Sequence, residues 1–406
     1  MSDVPHLRFP EFSEEWEICK VSELLDFYST NSLSWEQLEY GTKAIMNLHY
    51  GLIHVGLPTM VDLTRDNLPN IKEDNMPKNF ELCKEGDVAF ADASEDTNEV
   101  AKPIEFFDLA GKNIVCGLHT IHGRDNKNKT VIGFKGYAFS SSAFHNQIRR
   151  IAQGTKIYSI STKNFSECFI GIPSKVEQTK IATLLRLIDE RIATQNKIIE
   201  DLKKLKSAII DYAINSLDTD FAKFGSLYET AGEGGTPTTS NASFYDNGKI
   251  PFVKIDDLKQ KYLTENKDFI TELGLQKSSA WLVPTRSILF SNGATIGEIT
   301  ITTYPVCTKQ GILGIVPKSN IDVEFLYYFM SSTYFKKAIS RIVTEGTMKT
   351  AYLKDIANIL CPIPTKEKQQ GIAKMPSALN SKIDYEQSLL KLFIMQKQYL
   401  LRQMFI

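Results

Sequence analysis

The sequence predicts an α+β protein with two tandem β-rich domains, each followed by a long helix, in which the two helices form an antiparallel coiled coil with pseudo-two-fold symmetry. Three observations predict this fold class: an internal repeat, short strand-like runs in both halves, and two long stretches with heptad spacing. The repeat is the most informative of the three, because a duplicated sequence unit implies a duplicated structural unit.

The repeat is strongest where a constant offset of 191 residues relates its two copies without a gap. Ile172-Pro173, Glu177-Gln178 and Ile181-Ala182 recur as Ile363-Pro364, Lys368-Gln369 and Ile372-Ala373. Each copy joins a strand-like run that ends in proline to a polar turn and then to a long helix. We therefore predict globular domains at 1–174 and 217–364, and long helices at 175–216 and 365–406.

Short apolar runs bounded by Gly, Asn, Asp or Pro predict strands in both globular domains. The predicted strands are residues 51–55, 87–91 and 130–134 in the first domain and 250–255, 287–291 and 298–302 in the second. Segments 82–90 and 282–290 align, as do 150–155 and 341–347, so the repeat extends weakly into the domains. Measured between matching landmarks, the first domain is 12 residues longer, which indicates a shared scaffold with diverged loops.

Apolar residues in both long helices alternate spacings of three and four. The predicted coiled-coil seam consists of Leu185, Ile188, Ile192, Ile199, Leu202 and Ile209 in the first helix and of Leu379, Ile383, Leu390, Phe393 and Leu400 in the second. A 3.5-residue apolar repeat keeps one face of a helix towards a partner helix. The alternative is that each helix packs only across its own domain.

Polar residues interrupt the two seams at matching places, Gln195 with Glu386 and Lys206 with Lys397. Pro376 has no backbone N–H to donate within a helix. We therefore expect the second helix to be continuous only from about Pro376, after a short turn at 366–374.

The composition is that of an ordinary globular protein, with 42% hydrophobic and 23% charged residues and a net charge of −1 over 406 residues. Any affinity for DNA would therefore come from local patches or be shared with a partner. No segment has the length and apolarity of a membrane span or signal peptide, so we expect a cytoplasmic protein. The six cysteines form no C-x-x-C pair, and we expect buried or free thiols rather than disulfides or a zinc site.

Catalytic patterns are not recognisable in the sequence. No glycine-rich nucleotide loop and no base-methyltransferase motif is present. His119 with His122, or His49 with His54, could bind a metal in principle. Without a companion cluster of cysteines or carboxylates, we expect loop or core histidines. We predict no catalytic residues, no metal and no cofactor of its own.

Two basic stretches at equivalent points of the repeat predict contacts with DNA. The candidates are Asn146, Gln147, Arg149, Arg150, Lys156 and Tyr158 in the first half and Thr236, Ser291, Asn292, Thr295, Lys336, Lys337, Arg341, Thr347 and Lys349 in the second. Cations and small polar loops suit phosphates, and forked donors suit base edges. Solvated faces of amphipathic helices and simple hairpin turns are the alternatives.

The segment 81–108 has nine carboxylates against two lysines and would repel a phosphate backbone. We expect most of it to face away from DNA. Asp92, Ser94 or Glu95 could still accept a hydrogen bond from a cytosine amino group.

Segments 234–258, 287–297 and 363–372 resemble the DNA-specificity subunit of type I restriction-modification systems, through GGTP, IPFVKIDDL and SILFSNGATIG. Segments 51–54, 82–90, 156–161 and 172–182 resemble the same family, so the resemblance covers essentially the full length. The chain departs from its own repeat at Lys368, where the other copy has Glu177, and at Pro376.

The resemblance implies two target-recognition domains, each reading half of a bipartite site on double-stranded DNA, with a spacer that the helical pair measures. It implies two methyltransferase (modification) subunits and restriction (translocase and nuclease) subunits as partners, to which S-adenosylmethionine, ATP and magnesium would belong. The alternatives are a recognition subunit or fusion remnant of another, type IIG-like, methyltransferase system, and a scaffold that binds protein without reading DNA.

Overall fold

The chain divides into two compact units in a computed structural model that describes residues 4–41, 45–293, 295–343 and 349–406. The first unit comprises Met1–Gln195 and Leu389–Ile406, and the second comprises Asn196–Ser388. Each unit therefore contains one globular part together with a section of both long helices, and each has its own hydrophobic core.

Short strands and short helices precede each of the two long helices. The helices are α1 (Val21–Leu24), α2 (Tyr50–His54), α3 (Lys135–Phe139), α4 (Ser142–Ile151), α5 (Thr162–Ser166), α6 (Lys175–Asn215), α7 (Glu272–Gln276), α8 (Val323–Ser331), α9 (Thr333–Ile342), α10 (Leu353–Ile356) and α11 (Lys366–Gln403). The strands before α6 are β1 (Glu17–Lys20), β2 (Asp26–Tyr28), β3 (Leu38–Glu39), β4 (Met46–Leu48), β5 (Met60–Asp62), β6 (Asn70–Ile71), β7 (Val88–Ala91), β8 (Ala93–Ser94), β9 (Pro103–Asp108), β10 (Ile114–Cys116), β11 (Thr120–Arg124), β12 (Tyr158–Ser159) and β13 (Phe169–Ile172). The strands after α6 are β14 (Phe221–Lys223), β15 (Tyr228–Glu233), β16 (Ile250–Val253), β17 (Tyr262–Leu263), β18 (Asp268–Ile270), β19 (Ile288–Ser291), β20 (Ile299–Thr302), β21 (Cys307–Thr308), β22 (Ile312–Pro317) and β23 (Leu360–Pro362).

A five-stranded sheet of the same topology forms the centre of each unit. The strand order is β2-β11-β7-β9-β5 in the first unit and β15-β22-β19-β20-β17 in the second. In both sheets the last pair is parallel and the other pairs are antiparallel. Each unit also has a smaller sheet with a parallel pair, β4 with β10 and β16 with β21, and an antiparallel pair beside its long helix, β1 with β13 and β14 with β23.

One face of each five-stranded sheet packs against helices to form the main core of its unit. In the first unit the Phe90 ring lies 4.9 Å from Phe139 and 4.5 Å from Phe165. In the second unit Phe290, at the matching strand position, lies 6.0 Å from Phe335. Alternation along a strand sends these rings to one face and their neighbours to the other.

Two of the six predicted strands are wrong. Residues 50–54 form helix α2, because the His49 side chain caps it by accepting a hydrogen bond from the Gly51 N–H. Residues 130–134 form a turn that leads into α3. Gly133 there has a φ of +91°, which a continuing strand could not use. The predicted strands at 87–91, 250–255, 287–291 and 298–302 are confirmed, with small shifts at their ends.

The expected break before Pro376 is also wrong, because α11 runs without interruption from Lys366 to Gln403 and includes Pro376. A proline inside a helix costs about 3 kcal/mol. Contacts on both sides of Pro376 offset this cost: Ala373 is buried in the core of the second unit, and Ser377 donates a hydrogen bond to Glu324. Tertiary packing therefore overrides the local signal.

The long helices run antiparallel in both units. In the first unit Asp189 of α6 pairs with Lys397 of α11 at 2.6 Å, and Arg191 lies over the Phe393 ring. In the second unit Lys206 donates to Asn380 at 2.9 Å. The predicted fold class is thus confirmed as α+β, with tandem β-rich domains and an antiparallel pair of long helices. None of the helices described is long and apolar enough to cross a membrane.

Candidate nucleic-acid interface

Two short amphipathic helices, α4 and α9, carry most of the predicted cations. Ser141 and Ser332 cap them, each accepting a hydrogen bond of 3.2 Å from the N–H three residues further on. The two serines are 191 residues apart, so the exact repeat extends back to these helices. Phe144 with Ile148, and Phe335 with Ile339, bury one face of each helix.

The opposite faces of α4 and α9 are exposed. The exposed cations are Arg149 and Arg150 on α4 and Lys336, Lys337 and Arg341 on α9, and Lys156 and Lys349 are exposed shortly after the two helices. Arg150 and Arg341 occupy equivalent positions in the two units. Because a serine caps each helix and one face of each helix is buried, the exposed cations are attached to a well-fixed backbone.

Asn146, Gln147 and Arg150 line a surface hollow of about 1060 Å³ in the first unit. Gln147 is engaged internally, because its amide donates to the Phe169 carbonyl and accepts from the Phe169 N–H, both at 2.8 Å. It thereby joins α4 to the edge of β13. Arg149 makes a long hydrogen bond of 3.4 Å to Asn146.

Tyr158 lies beside part of the acidic segment, and the exposed Lys156 precedes it by two residues. Strand β12, which begins at Tyr158, pairs with β8, so that Tyr158 lies opposite Ser94. Asp92 is held by His119 at 3.1 Å nearby. The structure therefore brings Asp92 and Ser94 into the same region as the basic stretch.

Other carboxylates of segment 81–108 are neutralised inside the first unit. Glu105 is fully buried and accepts hydrogen bonds from the N–H groups of Gly133 and Gly136, with the Lys135 ammonium at 3.2 Å. Asp87 pairs with Arg124 at 2.8 Å. Part of the negative charge of this segment is therefore compensated by internal ion pairs, and those carboxylates would not repel a phosphate backbone.

The loop after β19 lies next to α9 in the second unit. Gly297 of this loop and Lys336 and Lys349 line one hollow of about 360 Å³. Thr295 is exposed, whereas Ser291 closes the loop by donating to the Thr295 carbonyl and accepting from the Glu298 N–H.

Asn292 and Thr236 are also engaged within the second unit. Asn292 is buried and donates to the Ala351 carbonyl at 3.2 Å, and Thr236 accepts from the Gln310 N–H at the same distance. Thr347 lies outside the described residues. The assignment of all these side chains to DNA contacts stays a prediction.

Each long helix is anchored to its unit by a buried glutamine, whose role the sequence pattern does not predict beyond its place in a polar turn. Gln178 accepts from the Val131 N–H and donates to the carbonyls of Lys129 and Pro173. Gln369 makes the three equivalent bonds, to Asp322, Asn320 and Pro364. Every partner is displaced by 191 residues, so its recurrence at the constant offset was the available signal.

All predicted seam residues are buried or half-buried. The two seam lysines have partners at equivalent positions of the repeat. Lys397 pairs with the carboxylate of Asp189, which also accepts a hydrogen bond from the Tyr137 hydroxyl. Lys206 donates to the neutral amide of Asn380. Burial lowers the pKa of Lys206, with nearby lysines acting in the same direction.

A polar cluster ties α11 to the sheet of the second unit. Lys261 donates to Glu324 and to Ser377, each at 2.8 Å. Burial opposes ionisation of Glu324, but hydrogen bonds from Lys261, Ser377 and Tyr262 outweigh it and lower its pKa to about 2. The anchoring of the helix therefore rests on an ionised carboxylate.

The two copies of the repeat differ at the position of Glu177 in the first copy and Lys368 in the second, and their surroundings explain the difference. Glu177 is buried and makes a bidentate pair with Arg8, at 2.7 and 2.8 Å. Lys368 is exposed and donates its backbone N–H to Thr365 at the start of α11. The first copy thus has an arginine partner at this position, while the second copy carries a solvated lysine.

Comparisons with known proteins agree with this architecture. Residues 218–392 match the model of the type I restriction modification DNA specificity domain. A protein of Methanocaldococcus jannaschii, provisionally named the type I restriction enzyme MjaX specificity subunit, is 24% identical over 395 residues, covering 92% of this chain and 89% of that protein.

Two solved structures share the fold. The S subunit of a type I restriction-modification system from M. genitalium is 18% identical, covers 99% of both chains and has a TM-score of 0.56. A chain from a study of complex assembly and conformational transition of the type I R-M system is 15% identical, covers 95% of this chain and 96% of that chain, and has a TM-score of 0.61.

The matched residues place a type I restriction modification DNA specificity domain in the second half of the chain. The resemblance read from the sequence is confirmed: over 92% of its length the chain is similar to a type I restriction enzyme specificity subunit, and its fold is that of type I S subunits.

Proposed function

We propose that this chain is the non-catalytic specificity subunit of a type I restriction-modification complex, in which each unit reads one half of a bipartite DNA target. The observation that carries the proposal is the duplication of one recognition framework, with a capped basic helix at the same point of each copy. Two copies of a reading unit call for a target in two parts.

The division of labour within each unit follows from which residues are fixed and which have diverged. The exposed cations of α4 and α9 suit phosphate contacts, which position a protein on DNA without reading its sequence. Sequence is read at base edges in the grooves. We assign that reading to the loops between strands, where the two units differ most in length.

Because the loops differ, the two half-sites are expected to differ as well. The exposed Thr295 lies in such a loop beside α9. In the first unit, Asp92 accepts a backbone hydrogen bond from Ile160, close to Tyr158. Carboxylates accept from cytosine amino groups, so Asp92 suits a base contact better than a phosphate contact.

The long helices expose apolar side chains that suit protein partners. In the first unit Leu392, Met395 and Tyr399 follow one stripe of α11, and each is more than half exposed. In the second unit Leu205 and Tyr212, spaced by seven residues, are exposed on α6. Exposed apolar stripes mark interaction surfaces.

We assign these stripes to two methyltransferase subunits, to which restriction subunits are added. S-adenosylmethionine, ATP and magnesium would then be bound by those partners. The specificity subunit contributes target choice and assembly.

An exchange of recognition units tests the proposal. Residues 15–172 are replaced by the first recognition domain of another specificity subunit, and the chimera is produced with the methyltransferase subunits. Methylated positions are then mapped across a genome. We expect one half of the target to change and the other half to stay.

The reciprocal exchange of residues 217–364 is the matched control and should change only the other half. A change of both halves by a single exchange, or of neither half while the chimera still methylates DNA, would contradict the proposal. A chimera that does not assemble is distinguished by co-purification of its methyltransferase subunits.

A further inference from the structure

Three potential metal ligands meet inside the first unit. Cys83, Cys116 and His122 are buried, and one ligand atom from each lies within 4.8 Å of the other two. The two sulfur atoms are 3.5 Å apart. Nothing in the predicted DNA site or in the helical pair uses these residues.

The three residues come from different parts of the fold. Cys83 precedes β7 and donates its N–H to the Ile114 carbonyl of β10 at 2.8 Å, Cys116 ends β10, and His122 lies in the middle of β11. Strand β10 belongs to the smaller sheet and β11 to the five-stranded sheet. The cluster therefore lies where the two sheets of the unit meet.

A carboxylate orients the His122 ring through one of its nitrogens, and the other ring nitrogen is available to bind a ligand. Its Nε2 lies 2.7 Å from Asp87, which is fixed in turn by Arg124. Its Nδ1 is buried and has no hydrogen-bond partner among the described residues. Buried nitrogens without partners are rare and costly, so a ligand for Nδ1 would remove an unfavourable contribution to folding.

We propose that Cys83, Cys116 and His122 bind a zinc ion through two sulfurs and one imidazole nitrogen. With a Zn–S length of about 2.3 Å, two thiolates of a tetrahedral site would be about 3.8 Å apart, close to the separation found here. Binding converts two thiols to thiolates and releases two protons, with no change of oxidation state. One coordination position is left for a non-protein ligand.

Asp87 fits the same site as the group that orients the histidine. A carboxylate that accepts from the far nitrogen of a ligating histidine fixes the ring and makes it a better ligand. The pairing of Asp87 with Arg124 keeps the carboxylate in place. The donor set of two sulfurs and one nitrogen favours zinc over the oxygen-seeking magnesium and calcium ions.

The second unit shows what fills this space without a metal. Gly314 corresponds to His122, because Gly314 pairs with Leu289 in the ladder as His122 pairs with Ala89. By their backbone hydrogen bonds, Val283 corresponds to Cys83 and Thr308 to Cys116. A Cβ on Gly314 would approach Val283 to 2.5 Å and Trp281 to 2.8 Å. Apolar side chains therefore occupy the equivalent position, and we expect one zinc ion per chain.

Metal content of the full-length protein tests the inference. The chain is purified under reducing conditions without chelator, and zinc is measured by plasma mass spectrometry. We expect one zinc ion per chain in the unaltered protein and background levels in Cys83→Ser and Cys116→Ser. Cys19→Ser and Cys307→Ser are matched controls, because each removes a buried thiol outside the cluster, and both should retain zinc.

Cobalt replaces zinc in a second measurement that needs no variant. Protein produced with Co²⁺ in place of zinc should show the thiolate-to-cobalt charge-transfer absorption of a sulfur-ligated site. Absence of this absorption, no zinc after incubation with Zn²⁺, or retention of zinc by both folded serine variants would overturn the proposal. Recovery of Cys83 and Cys116 as a disulfide from freshly lysed cells would do so as well.

Discussion

The two units of this protein have the same framework and different interiors. The five-stranded sheets have the same order and direction, and the helix-anchoring glutamines make the same three bonds. Where the sheets of the first unit meet, however, a polar group of Asp87, His122 and Arg124 is buried, while Val283 and Trp281 fill this region in the second. Duplication has preserved what positions the long helices and has left the layer beneath the recognition loops free to change.

The largest expected effect concerns the preserved part. Gln178→Leu and Gln369→Leu should each destabilise their own unit by about 2–4 kcal/mol, because three backbone groups lose their partners. One of them, the carbonyl of Pro173 or Pro364, belongs to a buried residue, where an unsatisfied group costs about 1–3 kcal/mol. Hydrogen exchange of peptides around 129–131 and 320–322, together with urea unfolding, measures the loss.

The exposed neighbour Gln370 provides the control, and Gln370→Leu should be close to neutral. The comparison of the two units predicts similar losses for the two glutamines. If one substitution lowered the stability of its unit and the other did not, the equivalent hydrogen bonds of the two glutamines would differ in their contribution to stability.

A smaller effect is expected at the polar interruptions of the seam, where the units differ. Asp189→Asn removes the charge that pairs with Lys397 and leaves one accepting oxygen where Lys397 and Tyr137 each have their own, and it should cost about 1.5–3 kcal/mol in urea unfolding. Asn380→Asp gives Lys206 a carboxylate but places it beside Asp384, whose side chain Asn380 now contacts at 3.0 Å. We therefore expect little net change from the second substitution.

The pH dependence of stability offers a further test of the contact of Lys206 with residue 380. Burial lowers the pKa of Lys206, so the second unit should gain stability as the pH rises towards about 10.4, the ordinary lysine value. Asn380→Asp should flatten this dependence, since a carboxylate favours the charged lysine. An unchanged slope in the variant would argue against contact between the two side chains in solution.

The smallest expected effect per substitution is on DNA binding. Arg150→Ala and Arg341→Ala should weaken binding of the assembled methyltransferase complex to its target, each lowering the slope of log affinity against log salt by about 1. The exposed Lys84 and Lys277 serve as controls, because they lie outside the basic helices. Equal losses at the two arginines would support equivalent roles, and no loss at either would remove α4 and α9 from the interface.

The sequence predicted the duplication, the order of the elements and the helical pair, because each leaves a periodic trace. It failed at α2, where one side-chain cap decides between helix and strand, and at Pro376, where packing on both sides outweighs a local preference. The cap of α2 is a local contact between residues two positions apart, whereas the packing around Pro376 depends on Glu324, which is distant in sequence.

The candidate interface was predictable in part for the same reason. Basic residues on one face of a short helix leave a local pattern, so the exposed cations of α4 and α9 were found. Gln147 and Ser291 look like polar readers in sequence, yet their partners, Phe169 and Glu298, become apparent only in the fold. The cluster around Cys83 has ligands 33 and 39 residues from it along the chain, a spacing typical of no recognised metal motif.

The pair between Arg8 and Glu177 has a consequence for how the gene could be rearranged. A chain assembled from two second copies would start both long helices with an exposed lysine and would need no added partner. A chain assembled from two first copies would bury a second carboxylate, which stays paired only if the segment with Arg8 is copied as well. Without that arginine the buried charge would cost about 3–5 kcal/mol. Of the two halves, the second is therefore the better suited to stand alone as a self-pairing module.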